Sequence, residues 1–86
     1  MGEYWKPVNL TRGEFIHPHH WGCGLKLGEW NHSKSAVRKV MRERWEASDH
    51  VVAMSDYGGL QTLQGNGDEP AFEYDEIEEH AVEVRK

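Results

Sequence analysis

Eighty-six residues make one domain, and a chain this short hides only about 60–65% of the surface its unfolded form exposes, so its core must come from a few large side chains. Four Trp, three Tyr and two Phe supply them, each large ring able to bury on the order of 150–250 Å². A net charge of −5 excludes a dedicated duplex-DNA binder, which needs a basic excess to neutralise phosphates; the single cysteine excludes an internal disulfide, and no apolar run approaches the ~20 residues that span a bilayer.

Taken in order, Tyr4 to Leu10 is aromatic and β-branched enough for a first strand, with Pro7 confining it to an edge or an irregular stretch because proline cannot donate to a ladder. Thr11-Arg12-Gly13 turns the chain, and Glu14 to His17 reads as a second strand, so the pair is an antiparallel hairpin. Leu25 to Trp30 alternates like a strand, although six residues also fit one helical turn. Asn31-His32-Ser33 supplies helix-start chemistry for a helix over 34–45, in which Val37, Val40, Met41 and Trp45 share a face.

His50 to Asp56 carries the strongest strand signal, apolar on both faces in its middle. Such a strand belongs in the interior of a sheet, with a helix over at least one face. Gln61 to Pro70, with Gly65-Asn66-Gly67-Asp68, reads as a flexible loop without apolar anchors. Phe72 and Tyr74 return to the core. Asp75 then offers a cap for a closing helix through Ile77, His80, Ala81 and Val84, with a strand over 81–84 as the rival. The fold class expected is α+β: an antiparallel sheet of three to five strands, one amphipathic helix packed on it, and a C-terminal helix or strand.

Charge is unevenly distributed. Lys34, Arg38, Lys39, Arg42 and Arg44 crowd one segment, while Asp68, Glu69, Glu73, Asp75, Glu76, Glu78, Glu79 and Glu83 crowd the end. Either the two segments are solvated or face each other, or they form a basic face for an anionic ligand and an acidic face for a basic partner.

The densest chemistry lies in Glu14 to Gly24, where three histidines and Cys23 sit among aromatic and glycine residues. As a metal set, His17 and His19 project from one side of a strand ~6.5–7 Å apart and could hold zinc with Cys23, His20 or His50 completing it. As a catalytic set, Cys23 near imidazolium groups could be an activated thiolate, but a lone cysteine is usually packed and inert. As a binding set, His17, His19, His20, Trp21, Arg38, Arg42 and Tyr57 offer rings to stack on a base and donors for a phosphate; the same rings could equally be core. The binding reading is preferred. It implies a small anionic ligand or a protein partner, with a cavity between subunits of a homo-oligomer as one way to build the site.

Asn9-Leu10 followed by Glu14, Ile16-His17-Pro18-His19, Gly22, Gly24 and Leu25-Lys26-Leu27, and later Trp45, Asp49 and Asp56-Tyr57, resembles a group of small proteins of bacteria and their phages that share an N-L-x-x-x-E-x-I-H-P-H opening. The match spans roughly half the chain. His20 stands where lysine is usual, Cys23 takes a variable place, and Ser55 replaces a glycine, so His17, Pro18 and His19 carry the likeness. The resemblance implies a phage or prophage context; joined to the binding set above, it gives the expectation of a non-enzymatic accessory protein that binds a host defence protein or the small nucleotide signal such a defence uses, with the lone cysteine and the lack of a bilayer-length apolar run pointing to the host cytoplasm.

Overall fold

The computed structural model describes residues 2–86. β1 (Trp5–Asn9) and β2 (Glu14–Phe15) pair as the expected antiparallel hairpin, turned by Gly13 at φ +67°. Short helices α1 (Leu27–Trp30) and α2 (Ala36–Arg44) follow, then β3 (Val51–Ser55) and β4 (Leu60–Gln64). α3 (Ile77–His80) and β5 (Val82–Glu83) close the chain. The five strands make one sheet in the order β4-β3-β1-β2-β5, antiparallel throughout except where β5 runs parallel to β2. β3 lies inside the sheet and all five of its residues are buried, as its two-sided apolar pattern predicts.

The alternation of side chains along β1 and β3 divides the core in two. On one face, Val51 and Ala53 meet Val37, Met41 and Trp45 of the α2 region, with Ile16, Trp30 and Val84 beside them. On the other, Val8, Val52 and Met54 meet Phe15 and Ile77, flanked by Phe72, Tyr74 and Ala81. The sheet is thus a middle layer between a helical layer and a C-terminal layer. Ser35 sets the start of α2: its hydroxyl accepts from the Arg38 amide at 3.0 Å and donates to the Trp30 carbonyl at 2.5 Å, satisfying one of the amides a helix leaves open.

Four expectations are corrected. Pro7 lies in β1, the middle strand of the sheet, rather than at an edge. Even-numbered residues here bond toward β3, as the Leu10 amide does to the His50 carbonyl, while odd-numbered residues face the other way. The Pro7 nitrogen therefore points to the side where β2 has run out, and its carbonyl still accepts from the Ile16 amide at 3.1 Å, so no β1–β3 bond is lost. The 25–30 stretch is a helical turn over its last four residues, because the Glu29 carboxylate folds back onto the Lys26 amide at 3.1 Å; Leu25, outside the sheet, accepts from the Trp5 amide of β1 at 2.8 Å.

The third correction falls in 61–70, whose first four residues are strand, not loop. β4 pairs with β3 across a bulge at Val51/Val52, and Gln64 donates to the Glu46 carbonyl at 2.6 Å. The fourth concerns the C-terminal segment, which contains both rivals in shortened form. Glu73, not Asp75, stands before the first turn, accepting the backbone amide of Glu76 as Glu76 accepts its own.

Candidate functional site

His17, His19 and His20 gather at the β2–β5 side of the molecule. His17 precedes a 3-10 turn over Pro18–Trp21, which stacks its ring on His20 at 4.2 Å and sets it edge-on to His19 at 6.4 Å. His20 Nδ1 lies 2.6 Å from Glu83 Oε2, and Arg85 reaches the other oxygen of that carboxylate at 3.2 Å. Burial alone would push the Glu83 carboxyl up, but the His20 hydrogen bond and the charges of Arg85 and His20 outweigh it and hold the group below the usual carboxylate range. Burial, followed by the charges of Lys6 and His20, holds the His17 imidazole below its ordinary value. Among the described residues its Nδ1 is the one buried side-chain nitrogen or oxygen without a hydrogen-bond partner.

This cluster ties the last strand to the turn after β2. Trp21 works to the same end: its indole N–H donates to the Val84 carbonyl at 3.2 Å. The zinc set is not assembled. Cys23 packs against the helical-face core with its thiol 3.9 Å from the Trp21 carbonyl. Among the described residues the one set of three metal-type donors within 4.8 Å of one another is Glu76, Glu79 and His80, all exposed.

The other binding residues are not brought to the histidines either. Arg38 is half-buried and donates to the Asn31 side chain at 3.2 Å; Arg42 is exposed on α2 and forms no ion pair among the described residues. Trp30 and Trp45 are core, and the Trp45 indole donates to Glu14 at 2.8 Å. Tyr57, 67% exposed, stands at the far end of β3 in a different setting.

That setting is a cleft of about 640 Å³ between the β3–β4 turn and the segment 69–75, within the size range of ligand pockets. Tyr57, Phe72 and Tyr74 give it three rings, and Asp56, Glu69, Glu73 and Asp75 give it four carboxylates; none of its lining residues is basic. None of the four carboxylates is in an ion pair among the described residues. The negative field is registered at Tyr74, whose hydroxyl is pushed up to about 12, first by burial and then by Asp56 and Asp75. Two of the rings are already engaged on one side: Phe72 stacks on His80 at 4.7 Å, and the buried Lys6 places its ammonium 4.8 Å from the Tyr74 centroid. Tyr57 is the ring left open.

The fold also settles how the two charged segments stand. α2, with its cations, covers the helical face, while residues 72–81 cover the opposite one. Among the described residues, Arg44 is the one cation of the basic segment that pairs with a carboxylate, Glu14 on β2, at 2.6 Å. The basic and acidic segments are therefore on opposite sides of the sheet and do not neutralise each other.

Sequence reasoning singled out Tyr57 and an acidic face for a basic partner, but not that they form one cleft. The available signal was the pairing of Asp56-Tyr57 at the end of the strongest strand with an acidic, aromatic run at 69–75; what was missing is the crossing that brings them together. Among the described residues no helix is long and apolar enough to cross a membrane. No protein family, curated protein or solved structure matches the chain, so its fold and site geometry stand as the evidence on function.

Proposed function

We propose that this chain is an accessory protein that acts by binding a host protein, of the phage or prophage type its resemblance implies, and that it binds through the acidic cleft rather than through the histidines. The single observation that carries the reading is the convergence of four unpaired carboxylates and an open tyrosine ring on one concavity. Unpaired like charges held together raise the energy of the free state, and a complementary partner relieves it. Large exposed rings beside such charge are the groups that anchor interfaces.

The test is affinity capture from bacterial cells with three forms of the protein: wild type, a cleft variant (Glu69→Gln with Asp75→Asn), and a helix variant (Arg38→Gln with Arg42→Gln). All four substituted side chains lie outside the buried core. The expected result is a partner held by the wild type and helix variant and lost from the cleft variant. A partner lost from the helix variant but kept by the cleft variant would reverse the assignment.

A further inference from the structure

We propose that the cleft receives an arginine side chain presented on an exposed basic segment of the partner protein, with the guanidinium lying on the Tyr57 ring and bonding to the carboxylates of Asp56, Asp75 and Glu69. This rests on the reading of the cleft as the binding surface and names what enters it. Arginine is favoured over lysine by the pairing of groups. A planar guanidinium stacks on an aromatic face while its edge N–H groups bond to carboxylates, whereas an ammonium is a strongly hydrated point charge that satisfies one demand at a time.

One of the cleft's rings, Tyr74, already has a cation against it. Lys6, from β1 beneath it, is held over the rings of Tyr74 and Phe15 at 4.8 and 5.7 Å, so the inner aromatic side is taken by the chain's own ammonium. The outer side keeps Tyr57, whose backbone is fixed although its ring is exposed: the Tyr57 amide donates to the Ser55 hydroxyl at 3.0 Å, and Gly58 turns the chain at φ +87°. Asp56 is held in the same way, with one carboxylate oxygen accepting from the Tyr4 amide at 2.9 Å. A fixed backbone at Tyr57 and a held acceptor at Asp56 leave less freedom to lose on binding. The occupant is a segment of protein rather than a free polyamine, because about 640 Å³ accommodates the backbone on either side of the inserted residue, and the cleft floor gives apolar contact at Met54 and Phe72 that a polyamine does not need.

The experiment is fluorescence anisotropy of a labelled peptide carrying two arginines in a Gly/Ser background, with lysine and glutamine versions of the same peptide, at about 0.15 M salt. The arginine peptide should bind several-fold more tightly than the lysine peptide, and the glutamine peptide should not bind. Tyr57→Ala should weaken the arginine peptide about threefold to tenfold, the range of a cation–π contact, while Arg42→Gln leaves it unchanged. Equal binding of the arginine and glutamine peptides, or of wild type and Tyr57→Ala, would overturn the proposal, as would spermidine displacing the peptide at equal concentration. If the peptides fail while a captured host protein is still lost from the cleft variant, the arginine assignment falls and the binding surface stands; if both fail, so does the surface.

Discussion

Asp49 shows how much one side chain decides here. Its Oδ2 accepts from Asn9 Nδ2 at 2.9 Å, Arg12 Nε at 2.6 Å and the Glu46 amide at 3.1 Å, and the Arg12 amide bonds back to Asn9 at 2.9 Å. One carboxylate thus joins the β1–β2 turn to the approach to β3. The Arg12 hydrogen bond, then that from Asn9, holds the Asp49 carboxyl below its ordinary value. A depressed carboxyl contributes stability above its unfolded value, near 3.8, and that contribution is lost as pH falls through the folded value. Asp49→Asn should therefore lower the melting temperature at pH 7 and flatten its decline below about pH 4. Melting curves from pH 7 to 2 that remain parallel for the two proteins would refute this. This junction was not legible in the sequence, because nothing in a linear pattern shows that Asn9 and Arg12, 40 and 37 positions from Asp49, come within bonding distance of it. Val37, Val40, Met41 and Trp45, by contrast, were legible as a helix face from their spacing: Val37, Met41 and Trp45 are buried and Val40 is half-buried against them.

Among the elements, those with a periodic apolar face were readable and those held by polar or backbone contacts were not. α2 and β3 follow their patterns. β4, Leu-Gln-Thr-Leu-Gln, is an edge strand with much of its surface in water and shows no such pattern; its course depends on how the chain leaves it. Gly65 is the device: it holds φ +72°, and a Cβ there would stand 2.4 Å from the Asp49 carbonyl oxygen and 3.0 Å from the His50 Cα. The left-handed backbone costs a residue with a side chain roughly 1–2 kcal/mol, and the clash with fixed backbone adds to it. Gly65→Ala should destabilise the protein by about 2 kcal/mol or more, measured by urea denaturation, whereas Gly28→Ala, in α1 with open space around its Cβ position, should be neutral or slightly stabilising. Equal effects at the two sites would show that the approach of Gly65 to Asp49 does not govern stability. The same backbone contact explains why 65–70, though devoid of apolar anchors, still forms one wall of the cleft at Glu69 and Pro70.

For the whole molecule, the consequential feature is a sheet with the α2 cations on one side and the cleft carboxylates on the other. The protein measures 31 × 28 × 20 Å, so opposite faces are separated by more than the screening length of about 8 Å at 0.15 M salt and less than the roughly 30 Å at 0.01 M. The basic face should then be invisible to a cation approaching the cleft under physiological conditions and felt only when salt is removed. Neutralising Lys34, Lys39 and Arg42 together takes the net charge from −5 to −8. This triple variant should bind the arginine peptide at an unchanged association rate at 0.15 M salt and faster than wild type at 0.01 M. Glu69→Gln with Asp75→Asn should slow association at both salts, because those charges line the cleft itself. Stopped-flow measurement at the two ionic strengths separates the cases: if the α2 substitutions alter the rate at 0.15 M as strongly as the cleft pair does, the two faces are electrically one surface, and the division of labour across the sheet is wrong.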